Sequence, residues 1–389
     1  MSAVNFSVVR ADAKYVLDEN GDLSSVAANT PAFEYNANGS YKGLLVEDDS
    51  ENLCLQSEDL TTTWIGVNET ITANDTTAPD GNTTADKLND DSGGGTGEVR
   101  VQQAISGLTA EGTYTASVFL KADQLSFAKL QIQDADGASA YNQYFGLSGA
   151  GSLGTASGLD DSSILEYPDG WYRCSITWTQ GVGDTSMTFR INLADSISND
   201  TVDLDGTSSI FVWGAQVEKV ECATSYIPTT TTSVTRADDD ISLTSASSYI
   251  GQTAGTVYVE ATIDNIIGDA NFITVSDGSD NNIVRITFNV NADIRMYVKA
   301  NGAAIINDVE TITAGTYKFA IVYSSGDTRV YRNGVQLSSS NTAFTFSSTV
   351  DEIDIGQSFA ATGQANNWLR AFAFYKRALT DSEAKILTN

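Results

Sequence analysis

The stretch Thr113–Lys121, TYTASVFLK, decides the fold class of this chain. Its residues alternate in character, and the apolar side of the alternation consists of Tyr114, Ala116, Val118 and Leu120. Phe119 is the exception, because it stands among the polar residues of the opposite side. Alternation of this kind is typical of a strand with one buried and one solvated face in an antiparallel sheet. The stretch therefore predicts an antiparallel β protein.

The same alternation recurs on both sides of a polar connector. Met187–Leu193 (MTFRINL) shows it before the connector, and Val257–Ile263 (VYVEATI) and Tyr317–Tyr323 (YKFAIVY) show it afterwards. Clusters of Gly, Asp and Asn separate the alternating stretches, as expected for turns between short strands. No amphipathic helix is predicted before the last dozen residues. We therefore predict an all-β chain with two antiparallel β-sandwich domains of the jelly-roll type.

The connector lies within Gly214–Asp240, GAQVEKVECATSYIPTTTTSVTRADDD. Its Thr-rich, Pro-marked middle predicts a hinge, and its last carboxylates, Asp238–Asp240, predict a solvated end. The predicted organisation has four parts, namely an N-terminal arm at 1–55, a first β-sandwich at 56–227, a linker at 228–240 and a second β-sandwich at 241–389. The arm has turn signals but little continuous apolar sequence, so we expect it to dock onto its own sandwich or onto another subunit, for attachment or oligomerisation.

Two local signals lie in the second half of the chain. Asn333-Gly334 stands between two alternating runs, and this dipeptide supplies the two positive φ angles of a type I′ hairpin turn. Near the C-terminus, Thr380 is followed three residues later by Glu383, which is the spacing of a capping box. We therefore predict a hairpin at the first site and one short C-terminal helix at the second.

Composition excludes several classes of function. Fifty Asp and Glu residues against 21 Lys and Arg leave a formal charge of -29, which disfavours binding to nucleic acid or to anionic membranes. The chain has no histidine, which excludes a Ser-His-Asp or Cys-His nucleophile and any His-based metal site. Its three cysteines are too few and too scattered for a disulfide framework, and Cys174, on the apolar side of a predicted strand, is expected to be a buried free thiol.

The N-terminal residues MSAVNFSVVR show no basic segment followed by an apolar run. No window of the sequence approaches the length of a membrane span. We therefore expect synthesis in a cytoplasm and no membrane insertion.

Candidate glycan-binding residues follow from how sugars are recognised, with flat sugar faces stacked on exposed aromatic rings and hydroxyls bonded by amides. The segment GQANNWLR contains one such group, formed by Gln364, Asn366, Asn367 and Trp368. Trp64, which follows TTT, is a second candidate ring. The alternative interpretation is that both tryptophans are core anchors.

Two acidic clusters are candidates for calcium, which prefers oxygen ligands. The five candidate ligands are Asp277, Asp280 and Asn282 in DGSDNN, and Asp351 and Asp354 in DEID. EF-hand spacing is absent from both clusters. The alternative interpretation is that both are ordinary polar turns.

Several motifs together resemble a recurrent layout in virion proteins of tailed bacteriophages. They are RADAKYVLDENG, KGLLVEDDSENLCLQSEDL with Trp64 after it, TTAPDGNTTADKL, and GAQVEKVECATSYIPTTTTSVTRADD, which together cover roughly residues 8 to 240. Downstream, VYRNGVQL, IDIGQS and FAFYKRALTDSEAKIL resemble the closing half of a laminin-G or concanavalin-A-like lectin domain. Two positions depart from the layout, because Glu51 stands where a basic residue is expected and Lys219 where glycine is common.

The resemblance implies a surface-exposed phage fibre, tail or capsid-decoration subunit. Its first sandwich would be carbohydrate-binding-like, its second lectin-like, and a trimer is the usual state of such fibres. The leading hypothesis is thus a non-enzymatic virion structural protein on the particle surface, whose partners are other virion proteins and host cell-surface glycans. The alternatives are a capsid cement protein that binds no sugar and a polysaccharide depolymerase. A glycosidase needs only two suitably spaced carboxylates, and fifty acidic residues supply such pairs by chance.

Overall fold

The computed structural model describes residues 5–134, Gly137 and residues 140–389. Residues 1–4 of the expected arm lie outside this described part. Strands dominate the described residues, in which the one α-helix, α1 (Asp381–Leu387), lies at the C-terminus. Two short 3-10 helices lie at Pro168–Gly170 and Ala246–Ser248. The prediction of an all-β chain with one short C-terminal helix is confirmed.

The strands are short and follow one another closely along the chain. The first twenty are β1 (Ser7–Val9), β2 (Lys14–Leu17), β3 (Leu23–Val26), β4 (Phe33–Tyr35), β5 (Tyr41–Val46), β6 (Ser50–Asn52), β7 (Ile65–Val67), β8 (Glu69–Thr76), β9 (Ala85–Asp90), β10 (Thr96–Glu98), β11 (Arg100–Ser106), β12 (Thr113–Ala122), β13 (Phe127–Asp134), β14 (Ala140–Gly146), β15 (Ser152–Ser157), β16 (Asp161–Glu166), β17 (Trp171–Thr179), β18 (Ser186–Ala194), β19 (Thr201–Asp203) and β20 (Ser209–Glu218). The others are β21 (Val234–Arg236), β22 (Asp240–Leu243), β23 (Ala254–Ile263), β24 (Asn271–Ser276), β25 (Ile283–Phe288), β26 (Ile294–Ala300), β27 (Ala303–Glu310), β28 (Gly315–Ser324), β29 (Thr328–Arg332), β30 (Val335–Ser340), β31 (Glu352–Ile355) and β32 (Asn367–Tyr375).

Four large antiparallel sheets form two sandwiches. The N-terminal sandwich pairs the sheet β16-β17-β12-β20-β9-β8 with the sheet β15-β14-β13-β18-β11-β7. The C-terminal sandwich pairs the sheet β1-β22-β31-β24-β25-β26-β27 with the sheet β30-β29-β28-β23-β32-β5-β4. Three two-stranded sheets, β2-β3, β6-β21 and β10-β19, complete the structure.

The core of the N-terminal sandwich follows from period-2 alternation. Tyr114, Ala116, Val118 and Leu120 of β12 all point into it, as predicted. Phe119, the exception in the alternation, points outward but is 0% exposed, because it packs in a second apolar cluster with Tyr167, Trp171, Trp213 and Tyr226. Cys174 of the neighbouring β17 is a buried free thiol, as expected. The outer face of this sheet is therefore covered around Phe119 instead of solvated.

Three strands from the first 55 residues, β1, β4 and β5, belong to sheets of the C-terminal half. β1 pairs with β22, and β5 pairs with β32, so that Leu44 lies opposite Leu369 and Leu45 opposite Trp368. β4 then adds to the outside of β5 as an edge strand. The division of the chain at residues 55, 227 and 240 stays a prediction, as does a role of residues 1–55 in attachment or oligomerisation.

The hairpin β2–β3 lies between the two sandwiches. Tyr15 and Leu17 pack with the outer-face cluster of the N-terminal sandwich, whereas Val16 packs with Leu45 and Trp368 of the C-terminal one. Successive side chains of a strand point to opposite faces, so this short hairpin contacts one sandwich with each face. We call it the wedge hairpin.

Buried charges fasten the wedge hairpin to the connector. The Asp239 carboxylate lies 2.7 Å from a guanidinium nitrogen of Arg10 and also contacts the Lys14 ammonium. The Glu47 carboxylate lies 3.0 Å from the Lys14 ammonium and 3.6 Å from a guanidinium nitrogen of Arg236. Asp239 is 1% exposed, so the prediction that Asp238–Asp240 form a solvated linker end is wrong at this residue. The physical reason is that three cations, distant in sequence, meet here and need counter-ions. We call these five residues the buried ion network.

Both local predictions in the C-terminal half are confirmed. Asn333 and Gly334 have φ angles of 47° and 77°, and they join β29 to β30 with Arg332 opposite Val335. Thr380 and Glu383 form a complete capping box at the start of α1. Among the residues that the structure describes, no helix is both long and apolar enough to cross a membrane.

Candidate functional site

A cleft of about 290 Å³ lies where the two sandwiches meet at the wedge hairpin. One wall is the outer face of β16 and β17, which contributes Ser163, Leu165, Arg173 and Ser175 among others. The opposite wall belongs to the C-terminal sandwich and consists of Glu34, Tyr35, Asn36, Ala37, Lys42, Asp264, Asn265, Asn366 and Trp368. The floor contains Tyr15, Tyr167, Cys222, Ser225 and Tyr226. We call this cavity the interdomain cleft.

Trp368 and Asn366, two of the predicted glycan-binding residues, lie together in this cleft. The Trp368 indole N–H donates a hydrogen bond to the Glu34 carboxylate, and the Lys42 ammonium lies 3.3 Å from the centre of its ring. Asn366 accepts a hydrogen bond from the Asp48 N–H at 2.9 Å. Because Trp368 is 9% exposed and a cation covers one face of its ring, the structure leaves no open ring for a sugar to stack on.

The other three predicted glycan-binding residues hold the protein together elsewhere. Asn367 is fully buried and accepts hydrogen bonds from the N–H groups of Asp264 and Asn265. Gln364 is 1% exposed and donates to the Asp238 carboxylate at 3.2 Å. Trp64 is 8% exposed and packs in the core of the N-terminal sandwich. Their role in glycan binding stays a prediction, and their buried positions do not favour this role.

The predicted calcium ligands do not form one group of carboxylates. Asp277 accepts hydrogen bonds from the side chains of Ser279 and Asn282, each at 2.6 Å, and Asp280 pairs with Lys299. Asp351 directly precedes β31, which contains Asp354. No set of three or more Cys, Asp or Glu residues placed to hold a metal ion occurs in the described ranges. Calcium binding by these five residues stays untested.

Asp354 is unusual among these carboxylates because it is 2% exposed on the outer face of its sheet. Burial, and then the negative charges of Glu352 and Asp240, raise its pKa from 3.8 to about 8. A carboxyl with such a pKa is largely protonated at neutral pH, which makes it a poor ligand for a cation.

Arg173 is the residue of the cleft that sequence reasoning missed. It lies directly opposite Phe119 on one neighbouring strand and Leu165 on the other. Its guanidinium lies 5.4 Å from the centre of the Phe119 ring, and its Nη2 donates to the Ser117 hydroxyl at 3.0 Å. In the sequence, Arg173 occupies a polar position of an alternating strand and so looked solvated, whereas it is 7% exposed.

Apart from the Glu47 Oε2, which lies 3.0 Å from the Lys14 ammonium, two buried polar atoms of cleft residues have no hydrogen-bond partner among the described residues. They are the Nε of Arg173 and the hydroxyl of Ser225, and both residues are 7% exposed. Buried polar groups in native proteins are nearly always paired, so unpaired ones call for a missing partner such as a ligand or a water. Because both residues line one cavity, a ligand or a water in that cavity is the candidate partner for them.

Comparison with known proteins bears on the C-terminal sandwich. Residues 235–385 match the family model described as the Concanavalin A-like lectin/glucanases superfamily, so this part of the chain has a lectin-like fold. No curated protein sequence matches the chain.

Solved structures resemble parts of the chain only distantly. The CBM40 of the Ruminococcus gnavus IT-sialidase has a TM-score of 0.29 at 12% identity, over 36% of this chain and 84% of that one. Domain 4 of AbnA, a GH43 extracellular arabinanase from Geobacillus stearothermophilus, solved in complex with arabinotriose, has a TM-score of 0.32 at 13% identity, over 39% of this chain and 73% of that one.

Proposed function

We propose that this chain is a non-enzymatic phage virion protein, displayed on the particle surface as a fibre or decoration subunit, that binds host glycans in the interdomain cleft. The observation that carries the proposal is the cleft itself, a cavity of about 290 Å³ beside a lectin-like sandwich, with unpaired polar groups on its wall. A cavity lined by a few amides, hydroxyls and charges suits a ligand with many hydroxyl groups.

The cleft is also held in shape before any ligand arrives. The wedge hairpin packs against both sandwiches, and the buried ion network ties it to the connector. A rigid site loses little conformational entropy on binding, so more of the interaction energy contributes to affinity. This supports recognition by a preformed surface.

Binding without catalysis is proposed because three acidic groups of the cleft are engaged with other partners, whereas Asp161 and Glu166 lie exposed on β16 at its rim. Glu34 accepts a hydrogen bond from Trp368, Glu47 belongs to the buried ion network, and Asp264 pairs with Lys42 at 2.9 Å. A glycosidase needs one carboxyl as a free acid and another as a free nucleophile or base. The chain also contains no histidine that could replace them.

The virion role is supported by the motif series over residues 8 to 240, which resembles phage virion proteins. By the same resemblance we propose assembly with other virion proteins, a homotrimer, synthesis in the host cytoplasm and a final location on the virion surface. Cryo-electron microscopy of the particle tests this part. Density that fits the two sandwiches on the particle exterior is the expected result, and a virion without this chain would defeat the proposal.

Glycan binding is tested with the purified chain on an array of bacterial surface glycans, with and without calcium. The blocking variant is Leu165→Trp, since Leu165 is 49% exposed and lines the cleft. Leu153→Trp is its matched control, because Leu153 is 46% exposed on the edge strand β15 and does not line the cleft. We expect wild type and Leu153→Trp to bind the same glycans and Leu165→Trp to bind none.

The same experiment separates the alternative functions. Blank arrays for all three proteins would favour a capsid cement protein. Equal binding by all three would place the glycan site outside the cleft. Repeated release of reducing ends from host capsule or lipopolysaccharide would identify a polysaccharide depolymerase.

A further inference from the structure

Arg173 is a buried cation without a counter-ion. It is 7% exposed, and no Asp or Glu oxygen of a described residue lies within 4.0 Å of its guanidinium nitrogens. The contrast with the buried ion network is direct, because Arg10, Lys14 and Arg236 are at least as buried and each contacts a carboxylate. Removing a cation from water is unfavourable unless an anion compensates for it, so the absence at Arg173 needs a cause.

The contacts that Arg173 does make are all with neutral groups. One nitrogen donates to the Ser117 hydroxyl, the guanidinium plane lies near the Phe119 ring, and the Nε–H has no partner. The Tyr167 phenol is hydrogen-bonded to Arg173, and the Cys222 thiol is a second nearby group that could in principle ionise. Burial raises the pKa of Tyr167 to about 12 and also raises that of the Cys222 thiol, so both are neutral at pH 7.

Three carboxylates of the cleft are committed to other partners. Glu34, Glu47 and Asp264 are engaged with Trp368, the buried ion network and Lys42 respectively. Burial also raises the pKa of Glu34, which reduces its negative charge. Asp161 and Glu166 lie exposed on β16 at the rim, where their charge is screened by water and salt. Although the chain has 50 acidic residues, the Arg173 guanidinium forms no ion pair with any described one.

We infer that the interdomain cleft takes an anionic group of a glycan, and that Arg173 is its counter-ion. This inference rests on the proposed glycan-binding function and names the ligand class for the same site. A guanidinium offers several N–H donors in a plane, which matches the oxygens of a carboxylate, sulfate or phosphate. The unpaired Ser225 hydroxyl on the floor supplies a further hydrogen bond to the same ligand.

The test compares three matched trisaccharides by isothermal titration calorimetry. They are trigalacturonate, its carboxyl-reduced neutral form galactotriose, and sulfated galactotriose. The variants are Arg173→Gln and Arg173→Lys, with Arg377→Gln as the control, because the side chain of Arg377 is 58% exposed and pairs with Glu383 far from the cleft. Far-ultraviolet circular dichroism verifies that each variant is folded.

We expect wild type and Arg377→Gln to bind at least one anionic trisaccharide about tenfold or more tightly than the neutral one. Arg173→Gln is expected to lose this preference and Arg173→Lys to keep part of it, because lysine retains the charge without the planar fork. The two anionic probes distinguish a carboxylate from a sulfate. Equal affinity of wild type for neutral and anionic probes, or an unchanged preference in Arg173→Gln, would overturn the inference.

A second measurement needs no glycan and separates the two proposals. Sulfate and acetate are each added at constant ionic strength, and the melting temperatures of wild type and Arg173→Met are recorded. A rise in wild type that is absent in Arg173→Met supports the anion site even if no sugar binds, in which case only the glycan proposal fails. If neither anion nor glycan has an effect that depends on Arg173, the inference fails.

Discussion

The substitution Asp239→Asn should strongly destabilise the whole protein. The Asp239 carboxylate accepts a hydrogen bond from Arg10 at 2.7 Å and one from the Glu47 N–H at 2.9 Å, and it also contacts Lys14. Asparagine keeps the shape but removes the charge, so Glu47 alone would face three buried cations. Removing one member of a buried ion pair costs about 3–5 kcal/mol.

The pKa of Glu47 reflects the same buried contacts. Burial alone would raise that pKa, but the charges of Lys14 and Arg236 outweigh burial and lower it from 4.5 to about 2. At about 1.4 kcal/mol for each pH unit, this difference corresponds to about 3 kcal/mol. Because the folded pKa is the lower one, this stabilisation is present above about pH 4.5 and is lost as the pH falls towards about 2.

Urea unfolding at neutral pH, followed by tryptophan fluorescence and by circular dichroism, measures the effect. Asp280→Asn is the matched control, because Asp280 pairs with Lys299 but its side chain is 53% exposed, and exposed pairs contribute less than about 1 kcal/mol. We expect the free energy of unfolding to fall by about 3–5 kcal/mol in Asp239→Asn and by less than about 1 kcal/mol in Asp280→Asn. Equal losses in the two variants would refute the role given to the buried ion network.

Three further outcomes are expected. Asp354→Asn should raise the melting temperature at about pH 9 but hardly at about pH 4, because the folded pKa of Asp354, about 8, lies above its unfolded value and wild type loses stability as the pH rises between the two. A melting difference that does not depend on pH would contradict this. Leu17→Ala should lower the free energy of unfolding in urea by about 2–5 kcal/mol, because Leu17 is 5% exposed and fills the contact between the wedge hairpin and the N-terminal sandwich. The control is Val9→Ala, at a side chain that is 52% exposed, which should change this free energy by no more than about 0.5 kcal/mol. Thr380→Ala should lower the stability of α1 by about 1 kcal/mol, because it removes the N-cap of this helix. Hydrogen exchange should become faster at Asp381–Leu387 only, and unchanged exchange there would contradict the prediction.

Much of the fold could be predicted from neighbouring residues. The alternation in Thr113–Lys121 identified the buried face of β12 correctly, and Asn333-Gly334 and Thr380 marked a hairpin and a helix start that the structure contains. These predictions succeed because turn, cap and strand rules act between residues that are close in sequence.

The candidate site was accessible from the sequence only in part. The amide-rich segment before Trp368 was chosen as a binding loop, and Trp368 and Asn366 do line the cleft. The sequence could not show that Trp368 would meet Glu34, because the two residues are 334 positions apart. Nor could it show that Arg173 would be buried, since its position in the alternation is that of an ordinary solvated residue.

The sequence by itself determined the strand content, the faces of individual strands and several turns, because these depend on local conformational preference and on period-2 burial. Only the tertiary structure decided that β4 and β5 would complete the C-terminal sandwich, that Asp239 would be buried among cations, and that Arg173 would be left without an anion. The physical reason is that pairing between strands and compensation of charge depend on which surfaces meet in space. The local sequence around each residue gives no signal of a contact with a residue hundreds of positions away.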